Sequence, residues 1–187
     1  MIFNPNDPRN NKRTLFANGY QNLAVTGGWM KDPLRNDGQA DGVVEIGDTI
    51  YLSAYRSVVA SGNSTVYYYH DAAARTVDPI NVDEINFIHL KVDSWIGETI
   101  SGWIGLQSSV DNMTRNDYKN ASNQVKDGYT VFDETYLANS NIISVDVSML
   151  SGDFYPVIFL IGVDAEFAAD GNTRMYDSLH ISKVWHE

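Results

Sequence analysis

The sequence predicts an all-β domain, an antiparallel β-sandwich of jelly-roll type, and three observations predict it. Short apolar runs alternate with turn-rich segments from Thr14 to the C-terminus. Within those runs the apolar residues recur with a period of two, the signature of a strand that buries one face. The aromatic share of 12% comes mostly from 11 Tyr and 4 Trp, an apolar ring with a polar handle in each case. Such residues suit half-buried strands and contact surfaces. At 187 residues, 43% of them hydrophobic, the chain is long enough for one substantial core.

Residues 1–13 are polar and rich in Asn and Pro, and read as a flexible N-terminal arm. Residues 14–187 are then a single domain. Strands are expected over Thr14–Phe16, Val43–Ile46, Thr49–Val58, Thr65–His70, Ile85–Val92, Ile100–Gln107, Ile142–Val147, Val157–Val163 and Leu179–Trp185. In Ile50-Tyr51-Leu52-Ser53-Ala54-Tyr55 the aliphatics face one way and the polar and aromatic residues the other. Ile88, Leu90 and Val92 share a face against His89 and Lys91, and Ile143, Val145 and Val147 alternate in the same way. Val157–Ile161 is apolar on both faces, which predicts a central strand covered on its second side. Gly and Asx clusters such as Ile46-Gly47-Asp48 and Ala60-Ser61-Gly62-Asn63 supply the turns. Helical signals are weak: Asp71–Arg75 could make one turn, and Asn112–Asp127 reads as a long loop with a turn near Asp117–Asn120. Met30–Gly42 reads as a second long loop.

Composition narrows the function. A net charge of −11 opposes a nucleic-acid partner, since no Lys/Arg cluster exceeds the pair Lys12-Arg13. With no cysteine there are no disulfides, thiolate metal sites or cysteine nucleophiles. The longest apolar run, Val157–Val163, is far short of a membrane-spanning helix, so no membrane insertion is expected. No Gly-x-Ser-x-Gly, His-Glu-x-x-His or P-loop occurs. His70, His89, His180 and His186 are scattered, and the acidic residues Asp146, Asp164, Glu166, Asp170 and Asp177 carry no spacing that would define a glycosidase pair. The expectation is a chain that works by binding, without catalysis, metal or cofactor. Gly102 and Gly105 lie inside a predicted strand, where they mark a bulge or a close backbone approach.

The candidate binding residues are aromatic. Trp103 alternates out of phase with Ile100, Ile104 and Leu106, and Tyr67 and Tyr69 oppose Val66 and Tyr68. A strand face bearing Trp and Tyr suits sugar rings, whose C–H groups meet the aromatic face while hydroxyls bond to nearby Asn, Asp and Gln. Trp103, Tyr67 and Tyr69 are therefore the predicted carbohydrate platform. The competing role for Trp103 is core or subunit contact.

Three segments also resemble a known group of domains. Leu15-Phe16-Ala17-Asn18-Gly19 followed by Gly27-Gly28-Trp29 is similar to the start of jelly-roll carbohydrate-binding modules, and Met175-Tyr176-Asp177-Ser178-Leu179-His180-Ile181 is similar to their last strand. Val145–Tyr155 resembles a segment of phage and prophage virion proteins that carry such a domain. The resemblance implies a non-enzymatic virion protein (a decoration, head-fibre or tail component) assembled in the host cytoplasm. Its implied partners are other virion proteins, further copies of itself in a homo-oligomer, and host-surface glycans. The alternative is a carbohydrate-binding module of a bacterial glycan-degrading enzyme. Many such modules hold calcium between the N-terminal segment and a last-strand acid. Asp177 matches that acid, but Tyr20-Gln21 stand where its acidic partner is usual, so calcium is not carried over.

Overall fold

A computed structural model describes residues 13–32, 42–61, 64–97, 100–108, 128–162 and 175–187; the side chains of 56–69 and of 175 lie outside the described set. Thirteen of the strands follow the chain as β1 (Thr14–Ala17), β2 (Tyr20–Gln21), β3 (Trp29–Lys31), β4 (Val43–Ile46), β5 (Ile50–Ser61), β6 (Ser64–His70), β7 (Ala72–Thr76), β8 (Ile80–Asn81), β9 (Phe87–Ile96), β10 (Ser101–Gln107), β11 (Tyr129–Asp133), β12 (Ile142–Asp146) and β13 (Asp153–Leu160). The last is β14 (Met175–His186), and two short helices, α1 (Leu23–Thr26) and α2 (Glu134–Asn139), join the others. The strands form two antiparallel sheets, the sandwich that the alternation predicts.

The eight-stranded sheet runs β12-β9-β14-β1-β2, with β5 beside the first half of β14 and β4 and β6 on β5. Strand β14 organises it. Residues from Met175 to Ile181 pair with β5, those from Lys183 to Trp185 pair with β1, and β9 follows the other edge from Ser178 to His186. The register slips once on each strand, at Asp93 and at Ser182, where the Ser182 hydroxyl donates to Asp93 at 2.7 Å. The six-stranded sheet runs β11-β10-β13-β7-β3, with β8 on the start of β13. Between the sheets lies one core that includes Phe16, Leu52, Leu90, Ile104, Ile158, Leu179 and Ile181. Strand β13 is central, flanked by β10 and β7, as its two apolar faces predict.

Some elements differ from the sequence reading. Ala72–Thr76 is a strand rather than a helical turn. Its alanines take the middle of the sheet, with Ala74 opposite Ile158 and Ala73 opposite Phe159, and this packing overrides alanine's helix preference. Helix α2 escaped prediction, although Asp133 caps it by accepting from the Tyr136 N–H at 2.8 Å. The glycines of β10 mark close approach: a Cβ at Gly102 would strike the Phe159 carbonyl, and one at Gly105 the Tyr129 ring. No bulge interrupts β10 in its pairing with β11 or β13. Residues 1–12 and Asn112–Asp127 lie outside the described residues, as does 33–41 of the second predicted loop.

Candidate functional site

The outer face of the eight-stranded sheet carries rows of polar and aromatic side chains. On β5, Ile50, Leu52 and Ala54 point into the core, so Tyr51, Ser53 and Tyr55 point outward. Register continues this division across the strands: Glu45 of β4, Tyr51 of β5, His180 of β14 and Ser94 of β9 form one row. The Tyr51 and His180 rings lie 4.6 Å apart between centroids, tilted by 42°. Further along, Tyr55 stacks on His70 at 4.0 Å and meets the exposed Tyr176 at 6.2 Å.

A cavity of about 380 Å³ opens on that row, lined by Glu45, Gly47, Asp48, Thr49, Tyr51 and His180. The hairpin between β4 and β5 builds its rim. Ile46 pairs with Ile50, and the Gly47 N–H closes the turn on the Thr49 carbonyl at 3.0 Å. A side chain at Gly47 would meet nothing within 4 Å, so the mouth is open there. The β1–β2 turn comes close to Asp48 at Gly19 (φ +82°), where a Cβ would lie 3.2 Å from the Asp48 carboxylate. The cavity thus offers two aromatic surfaces and two carboxylates. Apolar ring faces receive C–H groups, while carboxylates accept hydroxyl hydrogens strongly.

The predicted platform is not assembled. Trp103 lies on β10 of the six-stranded sheet, whereas Tyr67 and Tyr69 lie on β6 of the eight-stranded one. Trp103 is wholly buried, packed with Ala73, Val157 and Phe159 and against the edge of the Tyr129 ring at 5.1 Å. No ring face remains for a sugar, so its assignment to the platform is corrected to core. The side chains of Tyr67 and Tyr69 lie outside the described residues. The residues missed were Tyr51 and His180. The alternation around Ile50 and Leu179 puts each on a solvent face, but only the register of β5 on β14 shows that the two meet.

The described members of the acidic group, Asp146 and Asp177, lie on different strands. Asp146 is exposed and accepts from the Ser148 hydroxyl and, second, from the Ser148 N–H, which hold its carboxyl below the usual range. Asp164, Glu166 and Asp170 lie outside the described residues. Asp177 points inward opposite Ala54, and burial, then the nearby charge of Glu134, push it from 3.8 to about 6. It stands six positions along β14 from Lys183, the partner of Ala17 in the β1–β2 hairpin, and so about 20 Å from Tyr20-Gln21. The calcium arrangement implied by the resemblance is not brought together. Among the described residues no group of three or more His, Asp or Glu could hold a metal ion, and no helix is long and apolar enough to cross a membrane.

No protein-family model matches the chain, and no curated protein matches it. Among solved structures, it is similar to the laminarinase catalytic domain from Thermotoga maritima MSB8, with 10% identity, 90% of this chain and 93% of that one covered, and a TM-score of 0.46. It is similar also to a prokaryotic β-1,3-1,4-glucanase (lichenase) derived from a mouse hindgut metagenome, with 10% identity, 91% and 96% covered, and a TM-score of 0.42. Both are glycan hydrolases, so the expectation that this chain lacks catalysis is corrected and dropped. At this identity the likeness concerns fold and assigns no activity.

Proposed function

We propose that this chain binds a glycan at the Tyr51–His180 cavity on the outer face of the eight-stranded sheet, as the carbohydrate-binding domain of a bacterial glycan-degrading enzyme. The observation that carries this reading is the row Glu45–Tyr51–His180, which puts two aromatic surfaces beside carboxylates in an open cavity of about 380 Å³. A sugar ring resting on Tyr51 would bury its C–H face and direct hydroxyls to Glu45 and Asp48, and this requires no cofactor. The virion setting implied by the Val145–Tyr155 motif is a separate proposal, and the geometry of this cavity does not favour it.

The test is calorimetric titration with neutral oligosaccharides, including β-1,3-, β-1,4- and mixed-linkage glucans, on the whole chain and its Tyr51→Ala variant. Binding that Tyr51→Ala weakens about tenfold or more, a loss of roughly 1.4 kcal/mol, supports the reading. Binding indifferent to Tyr51, or no binding to any neutral or charged glycan, overturns it. Following reducing ends in the same mixtures reports any hydrolysis.

A further inference from the structure

At the other end of β14 the same outer face carries a second aromatic group. Phe87 and His89 of β9 lie two positions apart with rings 5.9 Å apart, and His89 faces Trp185 of β14 across the sheet at 5.0 Å, inclined by 29°. The His89 ring is locked. Its Nδ1 is 2.8 Å from the Ser144 hydroxyl, and its Nε2 is 3.2 Å from the Glu187 carboxylate. His89 is only 12% exposed and stacks against both Phe87 and Trp185. With both ring nitrogens engaged it fixes those two more open rings, and little entropy remains to be lost when a ligand settles on them.

The charges beside this strip are unusual for a chain of net charge −11. Lys183 and Lys91 stand directly opposite each other on β14 and β9, an arrangement that destabilises a sheet. Asp93 takes up Lys91 at 3.6 Å and is itself engaged by the Ser182 hydroxyl at 2.7 Å. The Lys183 ammonium lies 4.7 Å from the centre of the Trp185 ring. A ring face holds a cation less strongly than a carboxylate or sulfate does, so this ammonium is available to a full negative charge.

We propose that Phe87, His89, Trp185 and Lys183 form a second subsite for an anionic sugar unit, a uronic acid or a sulfated sugar. Its C–H face rests on Phe87 and Trp185, which His89 positions, and its carboxylate or sulfate takes the Lys183 ammonium with Lys91 alongside. The proposal rests on the glycan reading above and extends it. Trp185 is five positions along β14 from His180, about 16 Å, so one oligosaccharide chain can occupy both places. The ligand class becomes an acidic heteroglycan, with neutral units at Tyr51 and an anionic unit at Lys183.

The experiment titrates the whole chain with three oligosaccharides of equal length: a neutral β-glucan oligosaccharide, the same oligosaccharide ending in one uronic acid, and the same oligosaccharide carrying one sulfate on its terminal unit. The wild type, Lys183→Gln, Trp185→Phe and Tyr51→Ala are compared. The expected result is that one anionic probe binds about tenfold more tightly than the neutral one and weakens as salt rises. Lys183→Gln should remove that advantage while leaving neutral binding unchanged, and Trp185→Phe, which keeps an aromatic face, should retain most of it. Whether the carboxylated or the sulfated probe binds identifies the charged group. If the neutral probe binds as tightly as both anionic ones, or Lys183→Gln changes nothing, the subsite is overturned while the Tyr51 reading stands. If an anionic probe binds through Lys183 and Tyr51→Ala has no effect on any probe, the subsite stands and the Tyr51 reading falls. Absence of binding to all three overturns both.

Discussion

The outer faces of the two sheets both carry aromatic side chains and come to opposite ends. On the six-stranded sheet, Trp103, Val157 and Phe159 point away from the main core and are nevertheless fully buried, forming a second apolar cluster with Ala73. On the eight-stranded sheet, Tyr51, His180 and Trp185 point away from the core and stay partly open, and Tyr176 is 54% exposed. The neighbours differ too. Around Trp103 they are Phe159 and the edge of Tyr129, whereas around Tyr51 they are His180 and the carboxylate row. A ring among apolar partners contributes stability, while a ring beside polar groups at an open mouth is free to hold a ligand. The orientation of a side chain off a sheet does not decide between these roles; what packs against it does.

Substitution at Trp103 breaks this comparison most severely. Trp103→Ala should cost about 3–5 kcal/mol, the usual penalty for emptying a large aromatic site, read as a lower denaturation midpoint with unchanged slope. A loss below about 1 kcal/mol would mean that the six-stranded sheet's outer face is not a second core. Gly105→Ala tests the same face from the backbone side. The added Cβ strikes the Tyr129 ring, itself half-buried and hydrogen-bonded to Gln107, and should cost about 1–3 kcal/mol. On the open face the response should be of another kind. Tyr51→Ala should shift stability by about 0.5 kcal/mol, yet weaken glycan binding about tenfold. If Tyr51→Ala instead unfolds the chain as Trp103→Ala does, the two faces are alike.

Much of the fold was legible in the sequence because strand periodicity is local. Ile88, Leu90 and Val92, or Ile143, Val145 and Val147, declare their inward face without any partner, and the structure buries all six. The both-sided apolar run at Val157–Ile161 likewise announced a central strand. What stayed illegible was pairing. Trp103 and the tyrosines of β6 look alike by local alternation, but they belong to different sheets. Tyr51 and His180 are 129 positions apart and become neighbours only through the β5–β14 register. The alanine run of β7 misled for the same reason: its helix preference is local, and its strand state depends on the partners that enclose it.

An effect confined to a pH window concerns a carboxyl at the edge of the interior. Asp177 points inward beside Gly97, whose φ of +140° fits a residue with no Cβ, since a Cβ there would collide with the Asp177 carboxylate. Burial first, and the charge of Glu134 second, raise this carboxyl from 3.8 to about 6. The folded chain therefore holds a proton that the unfolded chain releases at lower pH. Below the unfolded value both states are protonated and the site carries no penalty. As pH rises from 3.8 to about 6 the unfolded state gains by ionising first, stability falls, and the penalty is constant above that window. Asp177→Asn, which imitates the neutral acid, should leave stability unchanged near the bottom of the window. Above it the variant should gain about 1 kcal/mol, once solvent screening is allowed for. Glu134→Gln should reproduce a smaller part of that gain, because the charge is the lesser cause. Denaturant unfolding of the three proteins across the window reads the difference directly. A gain from Asp177→Asn that is the same at every pH would show that the substitution acts through packing and not through the proton.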